Sequence, residues 1–344
     1  MRPVFVLTGL LLLALSACLL YYASSVPPEP RVEGEVPKYE PRIEFYNYTY
    51  SVEERFLLKN ELNRTIREFV YLSVPRNMSN VKSYVISIEP EPIRLEVDDE
   101  GNVFALIRVE VEPGGEVWIR ASFRVEVSGY KIELAEEVAR WPPLEVALLY
   151  TERTVYWDVE NETLRELAYE IAYAESPLEC VEKIARWISD NLEYEVLDSR
   201  LGSNRALVRR GGRLVVRGDC VEVADVFVTL ARILGVPART VYGFMLSNHE
   251  ERDWLNLTIE EDWRELLRHW GGHMWIQVYI PPWGWIDVEL LETPGSPRIG
   301  YLTSLHVPYG VEGKTFYGTG LHSLCIPSYL ELEYIEVEFR GASG

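Results

Sequence analysis

The chain opens on an almost unbroken apolar run from Val4 to Ala23, preceded by Arg2. About 20 such residues cross the ~30 Å hydrocarbon layer of a bilayer as a helix, and the apolar part of a cleaved leader is usually shorter. The pattern therefore predicts an uncleaved transmembrane signal anchor over residues 1–24. Residues 25–41 are rich in Pro and Glu and lack apolar periodicity, which predicts a stiff, solvated stalk. From 42 to 137 the hydrophobic period is two. Runs such as Tyr48-Thr49-Tyr50-Ser51-Val52 and Val103-Phe104-Ala105-Leu106-Ile107 are separated by turn formers, Asp99-Glu100-Gly101-Asn102 and Glu112-Pro113-Gly114-Gly115 among them. Short strands at this spacing predict an antiparallel β-sandwich module.

Near Trp141 the period changes. Residues 162–174 and 176–191 repeat apolar positions at helical spacing, and in the second Leu178, Val181, Ile184, Trp187 and Ile188 make one stripe behind the start signal Ser176-Pro177. A loop around Gly211-Gly212, a strongly apolar helix and two strands complete a domain over 138–299, and a β-rich extension fills 300–344. Helices come first and strands later, so the fold class is α+β rather than alternating βαβ.

The strong helix carries the candidate chemistry. In Arg217-Gly218-Asp219-Cys220-Val221-Glu222, Asp219 can cap the helix and Glu222, three residues on, can close a capping box. Ala224, Phe227, Val228, Ala231 and Leu234 form its buried stripe, and Gly235 and Pro237 end it. Cys220 then sits in the first turn, where unpaired N–H groups and the helix dipole favour a thiolate. A lone cysteine there would read as a small buried hydrophobe; its surroundings argue otherwise.

The stretch Gly218–Phe244 (GDCVEVADVFVTLARILGVPARTVYGF) resembles the nucleophile segment of the transglutaminase-like family: G-x-C, a helix, G-[IV]-P-A-R, then a strand ending in Gly243. His273–Glu289 (HMWIQVYIPPWGWIDVE) resembles the family's H-x-W strand followed by W-x-x-x-acid. The likeness covers roughly residues 140–295, and the β module is similar to one that precedes this domain in archaeal relatives. It implies a papain-like Cys-His-acid triad on an α+β core, with Cys220 as nucleophile and His273 as base. A thiol is only a few per cent ionised at neutral pH, so the chemistry needs both the helix start and the imidazole. Arg239, in the G-[IV]-P-A-R match, is expected to close the helix–strand turn. The Cys220 N–H is the natural oxyanion donor, with Tyr194 a weaker second candidate.

For the acid the family uses Asp four residues after the Trp. Here that position, counted from Trp285, is Glu289, while Asp287 is the alternative. Alternation puts both on one face, as it does His273, Trp275, Gln277 and Tyr279. Pairing His273 with Glu289 centres a hairpin on Pro281, within the turn signal Pro281-Pro282-Trp283-Gly284; pairing it with Asp287 centres it on Ile280. Glu289 is therefore preferred, with Asp287 expected in solvent. Between the two strand segments, Leu246–Gly272 is expected to hold an amphipathic helix capped by Thr258. Either it simply covers the core, or it is a lid hinged at Gly271-Gly272 that brings Trp254, Trp263 or Trp270 to substrate.

Composition narrows the partners. The net charge is −20, from 54 acidic and 34 basic residues, which excludes a nucleic-acid partner and docking on anionic lipid as expectations. Gln occurs once and Met and Cys are scarce, as in thermophile proteins. Five of eleven Asn lie in N-x-S/T acceptors (Asn47, Asn63, Asn77, Asn161, Asn256), which fits an exported, glycosylated chain at the cell membrane with its catalytic part outside the cytoplasm. Cleavage before Cys18, leaving a lipidated cysteine, is an alternative to the anchor. In an oxidising compartment Cys180 and Cys325 could pair or stay free. No cofactor is expected. No metal is expected either, since Gly271-Gly272 break any helix that would align His269 with His273. The expected substrate is a protein or peptide amide, cleaved by hydrolysis. Acyl transfer to an amine and a non-catalytic surface module are the competing readings.

Overall fold

The computed structural model describes residues 47–197, 199–246, 272–293, 295–314 and 324–343. The predicted anchor and stalk, and nearly all of the Leu246–Gly272 segment with its three tryptophans, lie outside the described residues. Among the described residues no helix is long and apolar enough to cross a membrane. In chain order the first strands are β1 (Asn47–Asn60), β2 (Ile66–Val74), β3 (Val81–Glu89), β4 (Arg94–Val97), β5 (Val103–Val111), β6 (Glu116–Ser128) and β7 (Tyr130–Lys131). Helices α1 (Leu144–Tyr150), α2 (Glu162–Ala172) and α3 (Pro177–Asp190) follow, then β8 (Leu192–Tyr194), α4 (Ser203–Ala206), β9 (Leu207–Arg210), β10 (Arg213–Gly218) and α5 (Cys220–Ile233). The rest is β11 (Ala238–Met245), β12 (Gly272–Ile280), β13 (Gly284–Glu289), β14 (Arg298–Ile299), β15 (Tyr301–Leu302), β16 (His306–Glu312), β17 (Leu324–Cys325) and β18 (Leu330–Ser343).

Period-two alternation becomes two four-stranded sheets, ordered β18-β1-β6-β3 and β17-β2-β5-β4. On β1 the buried positions are Tyr50, Val52, Glu54, Phe56 and Leu58, and on β6 Ile119, Ala121, Phe123, Val125 and Val127; the polar positions between them face outward. The strands of the β-rich stretch over 300–344 pair with both parts of the fold. β18 pairs with β1 along its length, β17 with β2, β15 with β7, and β16 joins the sheet of the α+β domain. The reason is the edge. Without β18 the long strand β1 would present a row of unpaired backbone groups, which sheets avoid.

The α+β domain is built on the five-stranded sheet β14-β13-β12-β11-β16. α5 packs on it, and every residue of α5 but Ile233 is buried, so this helix is the centre of the domain rather than a surface helix. α2 and α3 start as capping chemistry predicts. Asn161 accepts from Leu164 N–H, and Ser176 accepts from Leu178 N–H with Pro177 in the first turn. The Gly211-Gly212 segment, expected as a loop, is the tight turn of an antiparallel β9–β10 hairpin. Both glycines have positive φ, 54° and 87°, as a two-residue hairpin turn of this hand requires. β10 then runs parallel to β8 and delivers the chain straight into α5.

A chain ended at Pro327 lacks β18 and exposes one side of β1. Its melt, followed by circular dichroism, should lose cooperativity, with aggregation visible in light scattering. A wild-type melt would show the C-terminal strand to be an appendage.

Candidate active site

Cys220 is the first residue of α5. Asp219 caps the helix by accepting from Val221 N–H at 2.9 Å, and Glu222 Oε2 accepts from Asp219 N–H at 3.3 Å, completing the capping box. Glu222 folds back so tightly that a Cβ on Gly218 (φ +145°) would come within 2.4 Å of it, so the residue before the cap must be glycine. Buried ion pairing locks the helix body. Arg200 donates to Asp225 at 2.6 and 2.8 Å and to Glu312 of β16 at 2.7 Å, while Trp157 Nε1 donates to Asp225 at 2.8 Å. At the far end Arg232, not Arg239, closes the helix–strand turn, donating to the carbonyl of Ala238 at 2.7 and 2.9 Å and to those of Gly313 and Glu152.

The thiol of Cys220 is buried at the start of α5, close enough to the backbone N–H of Met274, the residue after His273, to feel it. Burial and the Asp219 carboxylate push the thiol well above its ordinary value, and the Met274 N–H pulls the other way. The favourable helix start therefore does not offset burial at the resting thiol. Asp219 is pushed up by burial, with the nearby imidazole of His273 acting against that.

His273 Nε2 lies 2.8 Å from Glu289 Oε2, both side chains being buried. The hairpin register differs from the expected one. Gln277 pairs with Asp287 and Ile280 with Gly284, so the turn centres on Pro282, and continuing the ladder sets Glu289 opposite Trp275 rather than His273. The two-residue slip leaves every side chain on its face, because the strand period is two. Glu289 thus reaches His273 diagonally, across a span of roughly 7–8 Å between backbones. The longer glutamate stem is suited to that reach. Opposite His273 on the other side stands Gly243, where a Cβ would lie 2.1 Å from the carbonyl oxygen of Val307.

Asp287, expected in solvent, is fully buried. It accepts from Trp275 Nε1 and Gln277 Nε2, each at 3.0 Å, and from the hydroxyl of Tyr130 on β7. Burial pushes its carboxyl up. Arg239 belongs to the same buried network: it donates to Gln277 Oε1 at 2.8 and 3.0 Å and stacks 4.0 Å over Trp285. Asp287 therefore fixes the Trp275 indole, whose ring stacks with His273 at 6.1 Å between centroids.

One residue was missed. His306 is completely buried, with Nε2 3.3 Å from Glu289 Oε2 and Nδ1 3.1 Å from Thr303 Oγ1. It lies 33 positions after His273, outside both motif segments, and reaches the site only because β16 pairs with β11. Burial pushes Glu289 upward, but the imidazoles of His273 and His306 outweigh it and hold the carboxylate well below its usual range. Its other oxygen accepts from Leu291 and Glu292 N–H at 2.7 and 3.1 Å. The ligand atoms of His273, Glu289 and His306 lie within 4.8 Å of one another, a donor set that a divalent ion could use and that the His269–His273 spacing did not reveal.

Of the remaining candidates, Tyr194 sits opposite Gly218 in the β8–β10 pair, two residues from the nucleophile. Cys180 and Cys220 are free thiols. Asn47, Asn63 and Asn77 are exposed, whereas Asn161 is half-buried at its helix cap; Asn256 lies outside the described residues.

Residues 165–290 match the family model of the transglutaminase-like superfamily. An uncharacterized protein of Haemophilus influenzae is 29% identical over 119 residues, which is 33% of this chain and 31% of that protein. Uncharacterized protein YebA of Bacillus subtilis is 32% identical over 72 residues, 21% of this chain and 9% of its own length. The chain therefore spans under a third of the length of either relative. In structure it is similar to a provisionally assigned cysteine protease of Cytophaga hutchinsonii, with a TM-score of 0.57 at 13% identity, covering 87% of this chain and 93% of that one. At that identity the likeness speaks to the fold alone.

The capping box makes a pH-dependent contribution. Burial and the neighbouring Asp219 push Glu222 up to about 7, above its ordinary 4.5. A carboxyl that holds its proton more tightly when folded stabilises the fold fully below pH 4.5, and that stabilisation is lost as pH rises through about 7. Glu222→Gln, which cannot ionise, sets an amide against the Leu201 and Asp219 N–H donors at every pH, but its stability relative to the wild type should rise by up to roughly 3 kcal/mol between pH 4 and pH 8. Parallel melting curves for the two proteins across that range would refute the assignment.

Proposed function

We propose that the chain is a thiol hydrolase acting on protein or peptide amides, held outside the cytoplasm by its N-terminal segment, with Cys220, His273 and Glu289 as its triad. The observation that carries the reading is the meeting of three elements: a thiol at a buried helix start, a strand residue, Met274, whose N–H acts on that thiol, and beside it an imidazole that a buried carboxylate holds.

Because Nε2 of His273 is committed to Glu289, Nδ1 is the ring nitrogen left for the proton of Cys220. The sulfur attacks the amide carbon as its proton passes to Nδ1, and the developing oxyanion takes the Cys220 backbone N–H, one of the unpaired donors of the helix start. Tyr194 is the second donor in this scheme. The imidazolium gives its proton to the departing amine, leaving a thioester on Cys220. Water, deprotonated by His273, then attacks the thioester, releasing the carboxylic acid and restoring the thiol. Glu289 stays ionised throughout and stabilises the imidazolium.

Mass spectrometry of a peptide pool incubated with the protein tests the reaction. New termini are expected; new isopeptide cross-links would assign acyl transfer, and no change would assign a binding module. Iodoacetamide at pH about 6 should label Cys220 ahead of Cys180 and Cys325, and His273→Gln should abolish that preference. Glu289→Gln should lower kcat by roughly 10⁴-fold, the scale for losing a triad acid. Asp287→Asn should instead lower the melting temperature, because it puts an amide against Trp275 and Gln277 donors. The reverse ranking would move the triad acid to Asp287.

A further inference from the structure

We infer that His306 is a positioning residue of this site, acting through Glu289. This rests on the triad reading above and extends it to a fourth side chain. Glu289 has four donors: Leu291 and Glu292 N–H on Oε1, and the two imidazole Nε2 atoms on Oε2. Four donors fill the acceptor capacity of a carboxylate. His306 is the donor that cannot move. It has no exposed surface, its ring meets Trp275 edge-on at 5.2 Å, and its backbone pairs with Met245 on β11.

The bond to Glu289 places a proton on Nε2 of His306, since an ionised carboxylate can only accept, and Nδ1 meets the Thr303 hydroxyl at 3.1 Å. His306 also occupies one side of Oε2, leaving His273 a single direction from which to bond. The titratable groups around the cluster are Cys220, Asp219 and Glu222 from α5, Asp287 from β13 and His273 from β12. Asp287 is tied to Trp275, Gln277 and Tyr130, so it does not compete for the imidazoles.

His306→Phe keeps the ring and removes the donor. His306→Gln keeps an N–H, and Thr303→Val removes only the contact at Nδ1. His306→Phe should lower kcat roughly 10- to 100-fold, the range seen for partners that orient a functional imidazole, with KM unchanged. Cys220 alkylation at fixed pH should slow as well, because the imidazole that takes the thiol proton is held less firmly. His306→Gln should restore most of both, and Thr303→Val should fall between. Imidazole nitrogen NMR of the Cys220→Ala chain reads the tautomers without turnover: His306 should carry its proton on Nε2, and His306→Phe should broaden or shift His273.

An unchanged alkylation rate and unchanged His273 resonances in folded His306→Phe overturn the inference. So does equal damage by Phe and Gln tracking melting temperature alone. Stoichiometric zinc binding to the wild type, lost in His306→Phe, would assign the cluster to a metal and overturn it too. If wild-type Cys220 shows no enhanced reactivity, the triad reading fails, and the NMR comparison still decides whether His306 orders His273.

Discussion

A carboxylate removed from water is unstable unless its lone pairs meet donors and its charge meets a partner, at a penalty of several kcal/mol. Glu289 is such a group. Its two oxygens gather backbone N–H groups from the turn that follows β13, an imidazole from β12 and an imidazole from the start of β16. Three separate stretches of chain are thereby tied to one point. The end of β13 must turn tightly to present Leu291 and Glu292 N–H, β16 must enter the sheet beside β11, and His273 must face the same side as both. Remove the charge and none of these constraints has a reason to hold.

A second buried ion system performs the same service for the nucleophile helix. Arg200 joins Asp225 in the middle of α5 to Glu312 at the end of β16, and its guanidinium lies 4.0 Å over Tyr156. β16 therefore carries two anchors, His306 at its start and Glu312 at its end, one for each half of the site. The sandwich takes part too. Tyr130 on β7 reaches Asp287, Tyr309 on β16 donates to the buried Glu54 of β1, and Phe244 packs on Tyr309 and on Phe339 of β18. The β module is thus continuous with the support of the imidazoles, which is why the strands after residue 300 are spent partly on each sheet.

Local chemistry was readable from the residues. The capping box at Asp219 and the cap at Ser176 depend on contacts within four positions, and the structure has them where the spacing put them. Face alternation on β12 and β13 was equally legible, since a two-residue slip of register preserves it. The register itself was not. It is decided by the geometry of Ile280–Gly284, where Trp283 N–H bonds to the Ile280 carbonyl and Gly284 takes φ of 77°, and by how far a glutamate can reach. His306 and the true place of Asp287 were hidden for another reason. Both depend on contacts between strands distant in sequence, and a histidine in a β-rich tail carries no local mark of what it will face. Arg232 and Arg239 exchanged roles because both lie within reach of the same turn, and only burial decides which guanidinium meets the Ala238 carbonyl.

The neutral resting thiol follows from the same electrostatics. Asp219, Glu222 and Glu289 surround Cys220 with acidic groups, and burial adds to their effect, so a standing thiolate is disfavoured. The helix dipole and one Met274 N–H do not offset that. Ionisation becomes favourable only when the proton has somewhere close to go, and His273 backed by an already ionised Glu289 is that place: moving the proton creates an imidazolium beside a carboxylate. In the proposed triad Glu289 thus sets the driving force for forming the nucleophile, in addition to orienting the base. Burial, which makes Cys220 a weak acid, is therefore compatible with its use as a nucleophile, provided that the Glu289 cluster stays ionised and fully bonded.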